Sequence, residues 1–357
     1  MNTQNSPSPG KLFEEVFKSF QRAEKNKSSK VQYYNIASQT VKLRFAGSAM
    51  IPHMTPALSH LRSISQNKCS LTICVWDSVS TKVDLPLNFW ENDIGIGLQD
   101  NDYQHSSSNN ARIYFKENSI QGVYHVETKI LSLFDMNTNL GILWINNAQK
   151  IPYYVSSSPF RSILQWWAAY NDLLMIHAGA IGNDRSGVLL AGKSGSGKSC
   201  TTMTCINSTL QYAGDDHILI NTKSPFRSYS LYNACKLYNS DFNRFPEILK
   251  GSSNAWDLNN EKSVLFLHDI VPDKIVRGFQ IKAILLPKIV NVKDSYLVAV
   301  SQAESLKALA PSTIFQLPGA GKVDFKIMAK LVKQIPSFIL KLGSNNKNIP
   351  DIIANLL

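Results

Sequence analysis

Eight consecutive residues of this 357-residue chain have the types and spacing of a phosphate-binding loop. Residues 192–199 read Gly-Lys-Ser-Gly-Ser-Gly-Lys-Ser, which matches the pattern G-x-x-x-x-G-K-S, and an apolar run precedes them. A buried strand that leads into a glycine-rich turn and then into a helix directs backbone N–H groups and the positive end of the helix dipole towards a phosphate. The residues predicted to bind a nucleotide are Gly192, Lys193, Ser194, Gly195, Ser196, Gly197, Lys198, Ser199 and Cys200.

Two residues of the motif predict specific contacts with the nucleotide. The ammonium group of Lys198 is expected to neutralise the β- and γ-phosphates, and the hydroxyl of Ser199 to join the ligands of a Mg²⁺ ion. The alternative is a surface turn rich in glycine and serine, which leaves the apolar strand before it without an explanation. The motif therefore favours ATP and Mg²⁺ as cofactors.

Two adjacent carboxylates, Asp215 and Asp216, follow the motif and precede a strand-like run at 218–220. Such a pair suits a division of labour, in which one carboxylate binds magnesium or its waters and the other accepts a proton from an attacking hydroxyl. Neighbouring like charges also separate the two pKa values, so one carboxylate is expected to titrate nearer neutral pH. The alternative is an Asp-Asp turn exposed to water.

His177 interrupts a short apolar run upstream of the motif. Alone, such a histidine is more often a packed core residue. Its position before the loop, with Asp216 seventeen positions after Ser199, resembles the catalytic domain of bacterial HPr kinase/phosphorylases in order and spacing. The resemblance implies an active-site role for His177, phosphate binding by Lys198, metal binding by Ser199 and Asp215, and proton acceptance by Asp216.

The resemblance extends to a narrower group of HPr-kinase-like serine kinases, which includes the lasso-peptide tailoring kinases. It rests on the segments 230–237, 283–287 and 310–321, and in the front half on 41–47 and 55–58, so it covers most of the chain. The chain departs from HPr kinase/phosphorylases because no Glu-Arg-Gly segment follows the Asp pair. This departure argues against the reverse phosphorolysis reaction and against HPr as the substrate.

Three cationic residues downstream of the Asp pair are candidates for stabilising the charge on a moving phosphoryl group. They are Lys236, Lys262 and Arg277. Each is more often a solvated surface charge.

Composition and charge narrow the class of protein. The net charge is +11, but the lysines are dispersed and no aromatic RNA-binding signature accompanies them. The positive charge is therefore expected to attract ATP and an acidic peptide or protein, and no nucleic-acid partner is expected. Five cysteines without a C-x-x-C pair fit a reducing compartment and argue against zinc. Because no apolar run approaches the roughly eighteen residues of a membrane span and no signal-peptide pattern opens the chain, a cytoplasmic protein without a membrane span is expected.

Hydrophobic periodicity predicts two domains. Residues 1–150 are expected to form an antiparallel β-rich domain with a leading amphipathic helix at 11–25, a candidate for substrate recognition. For residues 151–357 the resemblance implies an α/β P-loop kinase core of the HPr kinase and phosphoenolpyruvate carboxykinase type. This core is expected to end with helices at 323–341 and 349–357.

The leading hypothesis is an ATP-dependent kinase that transfers the γ-phosphoryl group to a serine-type hydroxyl of a peptide or protein. The narrower resemblance implies a lasso-type precursor peptide as that acceptor. Two alternatives stay open, namely a kinase of a small metabolite such as free serine, and a nucleotide-dependent switch or assembly module. The sequence also leaves open whether the chain forms a homo-oligomer and which group is the third metal ligand.

Overall fold

The computed structural model describes residues 8–64, 68–86, 112–246, 262–315, 317 and 321–357. The chain divides into two units. The first unit comprises residues up to Pro56 and from Arg62 to Tyr170, and the second comprises Ala57–Leu61 and Asn171–Leu357. No helix in these described ranges is long and apolar enough to cross a membrane.

The first unit is built on an eight-stranded sheet in the order β3-β1-β2-β4-β8-β7-β6-β5. Strand β4 lies parallel to both β2 and β8, whereas the other pairs are antiparallel. The prediction of an antiparallel β-rich domain is wrong at these two pairs, because the sheet is mixed. Strands β1 to β8 are Ser29–Ile36, Gln39–Ala46, Arg62–Ser63, Leu71–Asp77, Arg112–Glu117, Ile120–His125, Ile130–Asp135 and Leu140–Ile145.

The leading helix α1, Pro9–Lys27, packs its apolar stripe on this sheet. Its N-terminus is fixed by the Ser8 hydroxyl, which accepts a hydrogen bond from the Lys11 backbone N–H, and by proline at the first helical position. The buried stripe recurs every three or four residues, as expected for one face of a helix. The other helices of the first unit, α2 to α5, are Ile51–Met54, Ser78–Thr81, Tyr153–Ser156 and Arg161–Ala169.

The division between the units falls after Tyr170 and not after residue 150 as the sequence suggested. Helix α5 packs against β7 of the first sheet. Its Trp167 is fully buried, and the indole N–H donates to the Ser70 carbonyl at 3.2 Å. These apolar contacts and this hydrogen bond place α5 in the first unit.

The second unit is built on a nine-stranded sheet whose main path is β12-β10-β11-β17-β14-β13-β9, with β19 beside β17 and β18 beside β19. Strands β15 and β16 form a separate pair. Strands β9 to β19 are Leu173–Ile176, Gly179–Gly182, Ser186–Leu190, Gln211–Gly214, Ile218–Asn221, Arg227–Tyr229, Ala234–Tyr238, Lys262–Phe266, Gly278–Ile289, Tyr296–Ala299 and Ser337–Leu342. Helices α6 to α10 are Lys198–Ile206, Leu267–Ile270, Gln302–Ile314, Lys322–Gln334 and Ile349–Ala354.

Both faces of this sheet are buried. Alternate residues of β11 enter different clusters, since Val188 and Leu190 pack with α6 and α10, while Leu189 packs with α8 and α9. Burial on both faces explains why the strand before the loop is a continuous apolar run.

The sheet brings chemically active residues to one edge. Strand β11 is parallel to β17, and β10 is antiparallel to both β11 and β12, so β11 and β12 run in the same direction. The loop after β11 and the Asp pair after β12 therefore leave the sheet at the same edge. His177 precedes the antiparallel strand β10, which starts at that edge. Strand order thus places the three predicted segments together.

The prediction of a helix at 323–341 is wrong for its last third. Helix α9 ends at Gln334, and Ser337–Leu342 forms strand β19, which is parallel to β17. Pro336 cannot continue a helix, and the apolar run after it is a buried strand whose pattern does not distinguish it from a helix.

A buried histidine ties Ala57–Leu61 into the second unit. The Nε2 atom of His60 lies 2.7 Å from the Ser230 hydroxyl, and its Nδ1 atom lies 3.3 Å from the Asn233 side-chain nitrogen. Because an amide nitrogen only donates, Nδ1 is the acceptor and the ring proton is on Nε2, which donates to Ser230. These hydrogen bonds therefore favour the neutral form of the His60 ring.

We expect the protein to lose stability as the pH falls below about 6.5, the ordinary pKa of histidine. Burial, with smaller contributions from the nearby His268 and Arg277, lowers the pKa of His60 to about 3. Between these two values the unfolded chain binds more protons than the folded one, so the free energy of unfolding decreases as the pH decreases, by at most about 3 kcal/mol at pH 4. Thermal unfolding midpoints between pH 7 and 4 should fall less steeply in His60→Gln than in the unaltered protein. Equal slopes would contradict this assignment.

Candidate active site

The loop between β11 and α6 wraps around the side chain of its own lysine. The Lys198 ammonium donates to the carbonyl oxygens of Gly192 at 2.6 Å and Lys193 at 3.1 Å. Only 7% of Lys198 is exposed. The ammonium charge therefore lies at the base of the loop with little water around it. Because water screens it poorly there, it attracts an anion strongly.

The loop backbone depends on glycine at several positions. Gly192, Gly195 and Gly197 have φ angles of 150°, 77° and 104°, in the range that other residues rarely adopt. A Cβ atom on Gly197 would also lie 2.5 Å from the Leu342 Cδ1 atom. A side chain at the start of α6 would therefore require the buried Leu342 side chain to move.

We expect Gly197→Ala to lower the free energy of unfolding by about 1–3 kcal/mol, because it adds both backbone strain and a steric clash. Nucleotide affinity should fall as well, since the loop and the first turn of α6 must shift. Gly321→Ala is the matched control, because no atom lies within 4 Å of a Cβ added there. Thermal unfolding and calorimetric titration with Mg-ATP measure both effects. Equal behaviour of the two variants would show that the loop tolerates a side chain.

Asp215 is buried and faces the first turn of α6. Its Oδ1 atom accepts a hydrogen bond from the Thr202 hydroxyl at 3.1 Å, and the Ser199 hydroxyl also donates to this carboxylate. On its other side the Cys235 thiol donates to Oδ2 at 3.6 Å. The carboxylate is therefore linked to the helix that follows the loop, and Lys198 is near enough to influence its pKa.

Asp216 is surrounded by one lysine and two histidines. The Lys236 ammonium lies 2.7 Å from its Oδ2 atom, and the His177 Nε2 atom lies 2.9 Å from its Oδ1 atom. The His217 Nδ1 atom lies 3.3 Å from Oδ2, and the two histidine ring centroids are 5.6 Å apart. The side chain of Asp216 keeps 23% of its surface exposed, so a ligand can still reach it.

The two neighbouring carboxylates have pKa shifts of opposite direction. Burial raises the pKa of Asp215, and the hydrogen bond from Ser199 partly opposes this. Burial also raises the pKa of Asp216, but Lys236 and the two histidines outweigh it and hold the pKa well below its usual range. The carboxylate that titrates nearer neutral pH is therefore Asp215, and Asp216, the expected proton acceptor, stays ionised.

The structure brings together most of the residues that the sequence singled out. His177, the loop with Lys198, and Asp215 and Asp216 lie at one edge of the sheet. Lys236 joins them, so its interpretation as a solvated charge is wrong.

The remaining candidates have other positions. Arg277 is exposed and contributes to lowering the pKa of His60. The Lys262 side chain lies outside the described part of the chain. Sequence reasoning gave no role to His217, although its position directly after Asp216 was a signal for one. Cys200, on α6 behind the loop, is half-buried, and burial raises the pKa of its thiol to about 11. Cys200 is therefore a thiol at neutral pH and not a nucleophile.

The arrangement around Asp215 fits a magnesium ion that is held mainly by a nucleotide. Among the described residues no group of three or more His, Cys, Asp or Glu side chains is placed to hold a metal alone. Mg²⁺ differs from zinc in this respect, because it usually takes one or two protein oxygens together with phosphate and water. The Ser196 and Thr201 hydroxyl oxygens are buried without hydrogen-bond partners, which fits a loop built to receive polar atoms.

A cavity of about 700 Å³ borders the loop on the side of α8. The loop residues 191–196 form one wall, and the ends of β17 and α8 form the others. Apolar side chains such as Leu286, Pro287 and Ile339 line it, together with Lys193, Lys288 and Lys307. Its size is in the range of pockets for drug-sized ligands, and its charge suits an anionic one.

Comparisons with known proteins give limited information. No protein-family model matches the chain, and no curated protein matches it. Among solved structures the chain is similar to the HPr(Ser) kinase/phosphatase from Coxiella burnetii, with a TM-score of 0.27 and 13% sequence identity over 51% of this chain and 92% of that chain. A likeness of this degree assigns neither an activity nor a substrate, whereas the mixed α/β architecture with two large sheets is plain.

Proposed function

We propose that the protein is an ATP-dependent kinase that transfers the γ-phosphoryl group to a serine-type hydroxyl of a peptide or protein. The observation that carries this proposal is the position of the Asp216 carboxylate. It is ionised, partly exposed and held by His177 and Lys236 at the sheet edge where the loop holds Lys198. An anion-binding loop beside a fixed carboxylate is the minimal arrangement for transfer of a phosphoryl group to a hydroxyl.

Each group has a role in this reaction. The loop amides and Lys198 bind the phosphates and stabilise the transferring group. Ser199 and Asp215 would hold Mg²⁺, which supplies charge neutralisation between the phosphates when bound. As the acceptor oxygen bonds to the γ-phosphorus and the bond to the β,γ-bridging oxygen breaks, Asp216 accepts the hydroxyl proton.

The low pKa of Asp216 bears on the timing of proton transfer. A weak base does not remove a hydroxyl proton before the oxygen attacks. In a loose transition state the proton is lost late, after most of the bond to phosphorus has formed, so the carboxylate mainly orients the hydroxyl. His177 and Lys236 keep the carboxylate in place for that purpose.

The cavity beside the loop favours a peptide over free serine as the acceptor. A small-metabolite kinase requires a closed and polar pocket, whereas this cavity has about 700 Å³ and many apolar side chains. The lysines at its margin favour an acidic peptide. A lasso-type precursor peptide is the specific acceptor that the sequence resemblance implies, and cytoplasmic location is part of the same proposal.

The direct test is incubation of the purified chain with Mg-ATP and a panel of serine peptides of differing charge. A mass gain of one phosphate on serine, fastest for acidic peptides, is the expected result. A mass gain of one phosphate on free serine alone would identify a small metabolite, and not a peptide, as the acceptor. Slow ATP hydrolysis without any phosphorylated acceptor, unchanged in Asp216→Asn, would identify a nucleotide-dependent switch instead.

A further inference from the structure

A small pocket lies in the first unit at the N-terminal end of helix α5. The cavity has about 50 Å³. Its buried floor includes Ile130, Leu143 and Phe160, and its more exposed margin includes His125 and Arg161. None of these residues belongs to the loop or the Asp pair.

The first turn of α5 points its backbone N–H groups to this end of the helix. Phe160 occupies the N-cap position, and no side chain caps the helix. The first N–H groups of a helix have no intrahelical acceptor and, with the helix dipole, favour a negative group at this position. An uncapped helix alone does not define a site, so a second feature is needed.

Buried hydroxyl groups in the pocket supply that second feature. Ser158 is 5% exposed, lines the cavity, and its Oγ atom has no hydrogen-bond partner. The Thr128 Oγ1 atom is buried in the same cavity and also has no partner. Burying a hydroxyl without a partner is costly, so these groups need the polar atoms of water or of a ligand in the pocket to complete their hydrogen bonds.

Charge and size identify the chemical class of that ligand. The Arg161 guanidinium is suited to planar oxyanions, and His125 adds a second nitrogen donor or acceptor. A cavity of about 50 Å³ has room for roughly three to five water-sized groups. This matches a carboxylate with the carbon that carries it, and it excludes a nucleotide.

We propose that this pocket binds a small carboxylate group, the end of an acidic side chain or the C-terminus of a peptide. The backbone N–H groups of α5, the Ser158 and Thr128 hydroxyls and Arg161 would surround its two oxygens. The apolar floor accepts the carbon that bears them. The site lies in the first unit and does not depend on the kinase proposal, so either stands if the other fails.

The test uses the full chain and the ¹⁹F NMR line width of trifluoroacetate at constant ionic strength. N-acetylalanine and an N-acetylated aspartate with an amidated α-carboxyl are added as competitors, to represent a C-terminus and an acidic side chain. At least one is expected to displace the probe, and their relative affinities show which source the pocket prefers. N-acetylalaninamide, which lacks the carboxylate, should displace it at least tenfold less well.

Three variants locate the binding. Arg161→Gln should weaken trifluoroacetate binding at least tenfold, and Ser158→Ala several-fold, whereas the exposed Lys150→Gln in the same unit should leave it unchanged. Ser158→Ala should keep or raise the thermal midpoint, because it removes an unpaired buried hydroxyl, whereas loss of stability would indicate a purely structural serine. The proposal is overturned if both pocket variants bind normally, if the amide competes as well as the acid, or if inorganic phosphate alone displaces the probe.

Discussion

Replacement of Lys198 by methionine is expected to lower kcat/KM for phosphoryl transfer on the order of 10³-fold. Lys198 is 7% exposed, and its ammonium group donates to two loop carbonyls, those of Gly192 and Lys193. A charge in such a position is poorly screened by water, so its attraction for developing phosphate charge is strong. Methionine keeps the apolar stem and fills the same space without the charge. Steady-state assays with Mg-ATP and an acceptor peptide measure the loss, and calorimetry should show at least tenfold weaker nucleotide binding.

The matched control for this variant is Lys282→Met. Lys282 is an exposed lysine on β17 of the same sheet, so it tests the loss of one positive charge from the unit without disturbing the loop. Its activity and nucleotide affinity are expected to stay unchanged. If Lys198→Met also retained near-normal activity while folded, the loop lysine would have no part in phosphoryl transfer.

The local segments of the candidate site, the loop and the Asp pair, could be located from the sequence. The loop and the strand before it have a spacing fixed by backbone geometry, and the fold places the predicted segment between β11 and α6. The Asp pair was singled out because two carboxylates precede a strand-like run, and the structure places the pair between β12 and β13. Residues in such short segments determine their own conformation, and distant contacts change it little.

The contacts between distant segments could not be derived from the sequence. Lys236 lies twenty positions after Asp216 and on a different strand pair, so only the folded chain shows that their charged atoms are 2.7 Å apart. The parallel pairing of β4 with β2 and β8 could not be predicted for a similar reason, because the sequence pattern of one strand does not reveal the direction of its partner. The pKa order of the Asp pair also depends on these distant partners. Adjacency predicted that the two pKa values separate, but Lys236 and the two histidines around Asp216 determine which of them is lower.

The variant Asp216→Asn is expected to reduce phosphoryl transfer by about 10³-fold while Mg-ATP binding stays within a few-fold of normal. The carboxamide has the same shape but is a weak acceptor for the hydroxyl proton, and it cannot balance the charge of Lys236. Asp215, which faces Ser199 and Thr202, keeps its contacts with α6 in this variant. Nucleotide binding and chemistry should therefore separate. Calorimetric titration measures the first, and single-turnover transfer to a serine peptide measures the second.

The control for this prediction is Asp273→Asn, an exposed carboxylate in the same unit, which should behave as the unaltered protein in both measurements. The carboxamide offers Lys236 and His177 a single neutral acceptor oxygen in place of the two carboxylate oxygens, so some loss of stability is also expected and is checked by thermal unfolding. Asp216→Glu distinguishes charge balance from position, because it keeps the charge but displaces the carboxylate by one methylene. If Glu restores stability but not transfer, Asp216 acts by orienting the acceptor hydroxyl. If Asn loses nucleotide binding and transfer in equal measure, the carboxylate only maintains the structure of the site.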